Sequence, residues 1–547
     1  MSLFERILQS RGLTEPSARQ AFLQPDYTAT KHDPFLLPDM AKATQRLRRA
    51  RAAGEKIVIY GDYDIDGLSA TALLLDAFTR FGFRAVEAFI PNRFVEGYGM
   101  TIGAVDKVAA MGAQLIVTVD CGSLCHEEIA YASHLGIDTI VTDHHNVAAT
   151  PPPSIAAVNP KFSGHHYPFR DLCGAGVAFK LVQALQTELD GLPDGYEKWL
   201  LDLVALGTVC DIVQLEDENR ANVYWGLEVL KKQQRPGLKA LMAVAGIEPD
   251  QLNARQLGFG LGPRMNAAGR LETAQHALDM LVATDATTAL AASQKLDTLN
   301  QTRRRIQDNI FAEACAQADE MSHDDVLVVS RQGWNHGVIG IVASKLVEAY
   351  KKPVFIIGER GQESTGSARS FGDFSAADAV RAADTAGIII KGGGHAAAAG
   401  VTLLTERIAD FRRCVNQFYK SLHLKQQLQY LLPQADVEIA NFTEVDEQLV
   451  SDIARLEPFG NGNPEPVLKI TTATVISVRR LGADGQHVKL LLQDANGVVL
   501  PMLAFQASAD FFRQPGDLVT AWFQPTINQW RGARAVEGRL QHLQLAD

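Results

Sequence analysis

Three short apolar runs in the first third of the chain predict buried parallel strands. They cover residues 56–60, 113–120 and 137–145, and each ends abruptly in polar residues. Helical segments separate them, including the apolar stretch LSATALLLDAFTRFG after the first run. Continuous apolar strands that alternate with helices are typical of a parallel sheet covered on both faces. The pattern therefore predicts an α/β domain with a doubly wound parallel sheet.

The rest of the chain predicts three further regions. A mostly helical region ends in a long polar helix over about 284–318, which we interpret as an interdomain connector. A second α/β unit begins at DVLVVS and ends in KGGGHAAAAGVTL, where a glycine-rich turn is expected to lead into a helix of small residues. The segments GLGPRMNAAGR and STGSARS are expected to be loops. From about residue 433, short alternating runs with Gly, Pro and Asn turns predict a small β-barrel of OB type.

Composition and charge narrow the class of protein. The 547 residues include 52 Lys+Arg and 63 Asp+Glu, so the formal charge is −11; a local basic channel for nucleic acid is still compatible with this acidity. Six scattered cysteines without a CxxC spacing exclude a disulfide framework and do not favour a zinc ribbon. The sequence shows no signal peptide and no window suited to a membrane span. We therefore expect a cytoplasmic protein of several domains.

The loop after the first strand holds three carboxylates at alternate positions, Asp62, Asp64 and Asp66, followed by Gly67. Carboxylates this close repel one another, and a divalent cation relieves the repulsion. The same DxDxDG sequence opens an EF-hand loop, but the twelfth position, which should be Glu, is Leu73, and a strand precedes the loop. A solvated acidic turn without metal is the alternative that this loop alone leaves open.

Two further strand ends favour a metal site. Asp120 ends the second apolar run, and Asp143, His144 and His145 end the third. Because the carboxyl ends of parallel strands converge on one crevice, these side chains are expected to meet the first acidic loop. Asp211 in LVALGTVCDIV adds a carboxylate in apolar surroundings, unless it caps a helix or forms a salt bridge. Carboxylates with an imidazole suit Mn²⁺ or Mg²⁺, and two such ions can drive phosphoester hydrolysis.

The ordered motifs resemble those of the DHH phosphoesterase family, and within it the single-strand-specific exonucleases. GDYDIDG, VTVDCG, VTDHH and LVALGTVCDIV are similar to the catalytic-domain motifs. GPRMNAAGR, WNHGVIGIVASKL, SARS and GGGHAAAAG are similar to those of the connector and the DHH-associated domain. The resemblance covers essentially the whole chain and implies five regions: an N-terminal helical segment (1–45), a DHH catalytic domain (46–220), a helical connector (221–322), a DHH-associated substrate-binding domain (323–428) and an OB-type domain (429–547).

The resemblance assigns roles to individual residues of the acidic site. It implies that Asp64 and Asp66 bind separate metal ions and that Asp120 bridges the two ions. His144 and Asp211 are expected to complete the shell of one ion. All five are therefore candidate catalytic residues and metal ligands.

Two more residues complete the candidate catalytic set. Asp62 is expected near the first metal as a further ligand, because the family has a His four residues before Asp64 where this chain has Tyr60, a poor ligand. His145 is expected to contact the scissile phosphate and stabilise developing charge instead of binding metal. The family usually has Asn after the bridging Asp, whereas this chain has Cys121. The hydrogen bond by which that Asn would support the metal ligands is therefore expected to differ here.

The same resemblance implies a set of substrate-binding residues: Arg93, Arg264, Ser367, Arg369, Gly393, Gly394 and His395. Arg93, Ser367 and Arg369 look like residues that recognise a 5′-phosphate, a task for which bidentate guanidinium pairing is suited. The glycine-rich segment can cradle a phosphate with its N–H groups or can be a plain turn. Arg264 is expected either to line the path of the strand or to form a salt bridge that holds the connector.

The predicted barrel combines aromatic and basic side chains, the means by which OB folds hold single strands. They are Phe505, Trp522, Phe523 and Trp530 with Arg479, Arg480, Lys489, Arg531 and Arg534. Any one of these aromatics can instead belong to the barrel core. The run of arginines at 303–305 is expected to be a solvated helix face.

The combined prediction is a two-metal 5′-to-3′ exonuclease that hydrolyses single-stranded DNA to 5′-mononucleotides in repair and recombination. Polarity and DNA preference come from the resemblance, as do a single-stranded-DNA-binding protein and a helicase as partners and a nucleoid location when acting on DNA. Two alternatives stay open: a phosphodiesterase for short oligoribonucleotides or cyclic dinucleotides, and an inactive DNA-binding scaffold.

Overall fold

The computed structural model describes residues 1–424, 432–482, 485–505, 507, 511–530 and 533–546. The elements up to the end of the long helix are α1 (Leu3–Ser10), α2 (Pro16–Leu23), α3 (Met40–Ala53), β1 (Lys56–Gly61), α4 (Ile65–Arg80), β2 (Ala85–Phe89), α5 (Ile102–Ala110), β3 (Leu115–Val119), α6 (His126–His134), β4 (Asp138–Thr142), β5 (Ala156–Val158), α7 (Gly174–Gln186), α8 (Leu201–Cys210), α9 (Asp217–Lys231), α10 (Pro236–Ala245), α11 (Ala254–Gln256), α12 (Gly262–Leu271), α13 (Gln275–Val282) and α14 (Ala286–Glu320).

The remaining elements form the second α/β domain and the C-terminal barrel. They are β6 (Leu327–Gln332), α15 (His336–Tyr350), β7 (Val354–Arg360), β8 (Glu363–Arg369), α16 (Ala376–Thr385), β9 (Lys391–Gly394), β10 (Ala398–Leu404), α17 (Ile408–Ser421), β11 (Val437–Ile439), α18 (Glu447–Ala454), β12 (Leu468–Leu481), β13 (His487–Gln493), β14 (Val499–Ala504), β15 (Leu518–Trp530) and β16 (Ala533–Leu545).

The first sheet has the strand order β2-β1-β3-β4-β5, and every pair in it is parallel. Alternate residues of β1 enter different cores: Ile57 and Ile59 pack with α4 and α7, whereas Val58 and Tyr60 pack with α5 and α6. Both faces are therefore covered by helices, which explains why the strands are apolar at successive positions. The predicted doubly wound parallel sheet is confirmed.

The connector is helical where the sequence predicted a loop. GPRMNAAGR lies in α12, with Pro263 in its first turn and Met265, Ala267 and Ala268 buried. The prediction failed because the glycines suggested a loop, whereas a proline at the start of a helix and small buried residues suit close helix packing. The expected solvated face at 303–305 is wrong for Arg303, which is buried on α14 and donates to its own helix neighbours.

The second sheet has the order β6-β7-β8-β10-β9, with β6 and β7 parallel and the other pairs antiparallel. The first three residues of SARS, Ser367 to Arg369, belong to β8, so the assignment of this segment as a loop was wrong. The glycine-rich segment is β9 of a hairpin with β10, and no helix of small residues follows it. Alanines adopt the strand here because β10 pairs along its length with β8 and over Ala399–Thr402 with β9, and this pairing outweighs their helix preference.

The C-terminal strands β12, β13, β14, β16 and β15 form a closed barrel, because β15 also pairs with β12. The OB-type barrel predicted from the sequence is confirmed. Of its predicted aromatics, Phe523 and Trp522 are buried, whereas Phe505 is exposed; Arg531 lies outside the described residues. The apolar face of α1 packs into the barrel core. Among the described helices, none combines the length and the apolar character needed to cross a bilayer.

Candidate active site

The register of the first sheet brings three acidic residues together. Gly61 pairs with Val119, and Val119 pairs with Thr142 on the next strand. The residues that follow these partners are Asp62, Asp120 and Asp143, so they leave the sheet side by side. The crevice beyond the carboxyl ends of parallel strands is where α/β proteins bind ligands.

The acidic loop turns tightly into helix α4. Asp64 is the N-cap of α4, and its Oδ1 accepts from the N–H groups of Asp66 at 2.9 Å and Gly67 at 3.2 Å. A Cβ at Gly67 would lie 2.6 Å from the carbonyl oxygen of Asp62, so only glycine fits there. The cap therefore fixes the loop and leaves the other oxygens of these carboxylates free for a ligand.

Asp66 is held by the N-terminus of a second helix. Its carboxylate accepts from the N–H groups of Gly174 and Ala175, the first residues of α7. A Cβ at Gly207 of α8 would lie 2.4 Å from Asp66 Oδ1, so this glycine makes room for the carboxylate. Unpaired N–H groups at a helix start stabilise an anion.

Asp120 has a strained backbone. Its φ is +62°, in the left-handed region that few residues other than glycine adopt. A Cβ at Gly174 would lie 2.6 Å from its Cβ, so α7 begins directly against it. Such strain persists at functional sites where the surroundings impose it, and here it directs the carboxylate into the crevice.

The acidic residues surround His144. Its Nε2 lies 3.1 Å from Asp120 Oδ1, 3.5 Å from Asp211 Oδ2 and 3.8 Å from Asp66 Oδ2. Three groups have ligand atoms within 4.8 Å of one another: Asp66, His144 and Asp211; Asp62, Asp64 and Asp120; and Asp120, His144 and His145. Asp120 belongs to two of these groups, and one of the two shares His144 with the third group, so the residues together offer two adjacent cation positions.

The pKa values of these carboxylates show what the pocket requires. Burial and then the neighbouring Asp64 raise the pKa of Asp62 to about 8 and that of Asp66 to about 6. Burial and then Asp66 raise the pKa of Asp211 to about 8, and they also raise that of Asp120. Gathered carboxylates of this kind ionise together only when a cation compensates them.

Three buried polar atoms point to the same conclusion. Asp62 Oδ1, Asp120 Oδ1 and His144 Nε2 are buried and make no hydrogen bond among the described residues, although the last two atoms lie 3.1 Å apart. Burying such atoms without partners is costly. Oxygen donors with one imidazole are the ligands expected for Mn²⁺ or Mg²⁺, so these residues fit a pair of divalent cations.

The two histidines differ in charge. Burial and then the neighbouring His145 lower the pKa of His144 to about 3, so its imidazole is neutral and suited to bind metal. For His145 burial opposes the charged form, but the hydrogen bond to Asp143 at 2.9 Å prevails and raises its pKa to about 9. Asp143 is itself fixed by the N–H groups of Ser123, His144 and His145. His145 is therefore an imidazolium at neutral pH.

A group of four arginines lies beside the acidic pocket; we call Arg93, Arg270, Arg303 and Arg369 the arginine cluster. Burial, and then the other three arginines, lower the pKa of Arg270 to about 10. None of the four has a carboxylate within ion-pair distance in the described part of the chain. Guanidinium groups gathered without carboxylate partners favour the binding of an anion.

The described contacts of the cluster are few. Arg270 donates to the carbonyl of Gly337, and Arg369 donates to Ser367 Oγ at 3.3 Å and to the carbonyl of Ala368. Arg93 lies over the ring of Tyr63 at 4.2 Å, and its Nε is buried without a partner among the described residues. Donors therefore remain for a phosphate group.

The other predicted substrate residues lie elsewhere. Arg264 forms an ion pair with Asp297 at 2.8 Å and donates to the carbonyl of Gly260. Gly393, Gly394 and His395 are exposed on the β9–β10 hairpin. Within the described ranges, no hydrogen bond or ion pair joins this hairpin to the acidic pocket.

Sequence reasoning missed several residues of the site. Asp143 was seen as part of a strand end but not as the partner that charges His145. Arg270 and Arg303 join the arginine cluster from α12 and α14, and Tyr98 meets the ring of His145 at 5.6 Å between centroids. A signal for Asp143 existed, because it follows β4 as Asp120 follows β3. The arginines had no comparable local signal.

Comparison with known proteins agrees with this fold. The model of the DHH family, N-terminal domain, matches residues 56–208, that of the DHHA1 domain residues 323–421, and that of the RecJ OB domain residues 435–542. The fold and the acidic pocket thus define a DHH-type phosphoesterase.

Two curated relatives specify the family further. Both are named single-stranded-DNA-specific exonuclease RecJ: that of Bacillus subtilis is 34% identical over 97% of this chain and 66% of its own length, and that of Dickeya dadantii is 36% identical over 93% of this chain and 91% of its own. The chain belongs to the RecJ family.

Solved structures support the metal assignment. RecJ from Thermus thermophilus in complex with Mn²⁺ matches all of this chain and 76% of its own, with a TM-score of 0.83 and 29% identity. The Mg²⁺ complex from the same organism matches all of this chain and 74% of its own, with a TM-score of 0.76 and 27% identity. Mn²⁺ and Mg²⁺ are thus the cations seen in the similar structures.

Proposed function

We propose that this chain is an exonuclease that hydrolyses single-stranded DNA from the 5′ end and releases 5′-mononucleotides. The observation that carries the proposal is the buried acidic pocket with a cluster of uncompensated arginines beside it. The acidic pocket suits cations that activate a phosphodiester, and the cluster suits a terminal phosphate of the same strand. The names of the curated relatives support single-stranded DNA as the substrate.

The proposed ligands form two sets around Asp120. Asp66, His144 and Asp211 would hold one ion, Asp62 and Asp64 the other, and Asp120 would be shared. When bound, a pair of Mn²⁺ or Mg²⁺ ions supplies Lewis acids that polarise the scissile phosphate and lower the pKa of water. The protein's contribution is a preformed arrangement: helix N-termini and the strained Asp120 fix the carboxylates before the substrate arrives.

His145 is proposed to act on the phosphate and not as a metal ligand. Its Nδ1 is engaged by Asp143 Oδ1 at 2.9 Å, and an imidazolium is a poor ligand. Its Nε2–H is then available to donate to a phosphate oxygen. A charged donor aimed at a position where negative charge develops stabilises the transition state.

The arginine cluster is proposed to set the polarity of digestion. Arg369 with Ser367 from β8, and Arg93 from the loop after β2, would bind a 5′-terminal phosphate beside the acidic pocket. Only the linkage next to that end would then reach the pocket. Arg270 adds a charge between the two domains, since it contacts Gly337 at the start of α15.

The remaining predicted contacts are proposed as weaker ones. Arg264 would attract the strand less strongly, because Asp297 already neutralises its charge. The exposed hairpin with Gly393, Gly394 and His395 is proposed to contact phosphate or nucleotide through its N–H groups and the imidazole. No helix N-terminus contributes there, so this contact depends on the hairpin alone.

The barrel and the cellular setting complete the proposal. Phe505 is exposed and meets the ring of His487 edge-on, so among the barrel aromatics whose side chains are described it is the best placed for a base. A single-stranded-DNA-binding protein and a helicase are proposed as the partners that supply the strand, and repair and recombination on the nucleoid as the setting.

Digestion of end-labelled strands tests the proposal. With Mn²⁺, a 5′-phosphorylated single strand labelled at its 5′ end should release labelled mononucleotide first, whereas a 3′-labelled strand should shorten stepwise. A blunt duplex and a dinucleotide should be poor substrates. Release of the 3′ label first, or digestion that is faster on the dinucleotide, would contradict it; Asp120→Asn is the inactive control.

A further inference from the structure

The carboxylates around His144 are anchored in different ways. Asp66 accepts hydrogen bonds from the N–H groups of Gly174 and Ala175, and Asp64 accepts from the N–H groups at the start of α4. Asp211 has no such donor among the described residues. It is the C-cap of α8, and only its backbone N–H is bound to that helix, through the carbonyl of Gly207 at 2.9 Å. The position of its carboxylate therefore depends on the backbone that follows.

That backbone is strained immediately after Asp211. Ile212 has a φ of +60° although it is β-branched, and the residue is 69% exposed, so side-chain packing does not impose this conformation. A strained residue persists only where other contacts hold it. The contacts of the segment from Ile212 to Leu215 therefore decide where Asp211 lies.

Asn219 on α9 donates to the carbonyl of Gln214 at 2.9 Å, and two further contacts of the segment come from the C-terminal domain. Asn461 Nδ2 donates to the carbonyl of Ile212 at 2.9 Å, and the N–H of Leu215 donates to the carbonyl of Asn461 at 2.8 Å. One residue thus holds both ends of the segment, through its side chain at one end and its backbone at the other.

The turn that presents Asn461 is built for this close approach. Gly460 and Asn463 exchange backbone hydrogen bonds on either side of it. A Cβ at Gly460 would lie 2.7 Å from the side chain of Leu215, and one at Gly462, where φ is +78°, would lie 2.5 Å from Gln214 Oε1. Larger residues at either position would push the turn off the Asp211 segment.

The turn is also fixed to the catalytic domain behind it. The buried guanidinium of Arg220 on α9 donates to the carbonyls of Leu456 and Glu457, which precede the turn. Asn463 Nδ2 donates to the carbonyls of Leu456 and Pro458 from within the turn. Asn461 is therefore held firmly enough to impose the conformation of Ile212.

We propose that Asn461 is a positioning residue for the metal centre: its amide holds the strained segment that places Asp211. The cation site formed by Asp66, His144 and Asp211 then depends on the C-terminal domain, whereas the site formed by Asp62, Asp64 and Asp120 does not. This inference rests on the proposed role of Asp211 as a metal ligand.

Titration of Mn²⁺ into the metal-free full chain, followed by electron paramagnetic resonance, tests the inference. Asn461→Asp removes the donor at constant size, and Asn461→Ala removes the side chain; both keep the backbone bond to Leu215. Loss of one hydrogen bond should weaken one of the two Mn²⁺ ions by about two- to tenfold and leave the other unchanged. Asn496→Ala, an exposed asparagine in the same domain, is the matched control and should bind both ions as the wild type does.

Three outcomes would count against the inference. Wild-type affinity for both ions in Asn461→Asp and Asn461→Ala would overturn it. Equal weakening of both ions, together with a lower melting temperature in EDTA, would show general destabilisation and overturn it as well. Asp211→Asn tests the ligand role of Asp211 separately from the positioning role of Asn461. If this variant binds both ions normally, the ligand role of Asp211 fails and the inference fails with it. Loss of one ion in Asp211→Asn with no effect at Asn461 would refute the inference alone.

Discussion

The acidic pocket and the arginine cluster lie beside each other, and each gathers residues of a single charge sign, negative in the pocket and positive in the cluster. The two groups are built in different ways. The pocket comes from one sheet edge and the helices against it, and the pKa values of Asp62, Asp66, Asp120 and Asp211 are raised. The cluster is assembled from a loop, two connector helices and a strand of the second sheet, and its charges have no carboxylate partners in the described chain. One group thus requires cations and the other an anion, and a phosphodiester substrate bound together with divalent cations satisfies both.

The largest expected effect comes from removing the shared carboxylate. Asp120→Asn keeps the size of the side chain but removes the charge that lies between the two ligand sets. We expect kcat to fall by about a thousandfold or more, comparable to losing a principal electrostatic group of an active site. Steady-state digestion of a 5′-phosphorylated strand measures it. Activity within tenfold of the wild type would show that the acidic pocket is not the reaction centre.

The arginine cluster should affect substrate recognition more than chemistry. Arg369→Ala removes a charged donor proposed for the 5′-phosphate, so kcat/KM on a 5′-phosphorylated strand should fall by about 10- to 100-fold. The loss on a 5′-hydroxyl strand should be much smaller. Arg331→Ala, also in the second sheet but paired with Glu313, is the control. Equal losses on both strands would contradict recognition of the terminal phosphate.

The charge of His145 should give the reaction a pH dependence that Asp143 controls. The folded pKa of about 9 lies above the unfolded value of 6.5, so the protonated form and the stability it brings are present below pH 6.5 and are lost as pH rises through 9. Asp143→Asn removes the partner that raises the pKa of His145, so this imidazole should lose its proton at lower pH than in the wild type. Activity at pH 8 should fall by about tenfold and activity at pH 6 by less. A pH-independent loss would argue against an imidazolium.

The smallest effect concerns stability of the metal-free protein. Carboxyl groups with raised folded pKa values, about 8 for Asp62 and Asp211, destabilise the fold as pH rises above 4 and reach their full cost above 8. Bound Mn²⁺ cancels this repulsion. The increase in melting temperature on adding Mn²⁺ should therefore be larger at pH 8 than at pH 6, as differential scanning fluorimetry would show. An increase independent of pH would contradict the compensation.

The sequence predicted the acidic pocket better than the arginine cluster for a physical reason. Asp62, Asp120 and Asp143 each follow a buried strand, and the rule that parallel strand ends converge places them together. The arginines are distant in the chain and obey no periodicity, so only folding reveals that Arg303 points inward from a run of three. The β9–β10 hairpin escaped prediction because strand pairing outweighed the helix preference of its alanines.

Contacts between domains were also beyond prediction from the sequence, as the C-terminal domain shows. Its closed barrel was predictable from alternating runs and turn residues. The contact of Asn461 with the segment after Asp211 was not, because a single asparagine in a turn carries no signal of its partner. Contacts of this kind follow from the tertiary arrangement alone.

Anomalous diffraction from crystals of the full chain soaked in Mn²⁺ tests the central claim most directly. We expect two manganese peaks in the crevice, one bound by Asp66, His144 and Asp211 and the other by Asp62 and Asp64, with Asp120 reaching both. Peaks elsewhere with this pocket vacant, or a single ion that leaves one of the two ligand sets unused, would contradict the account.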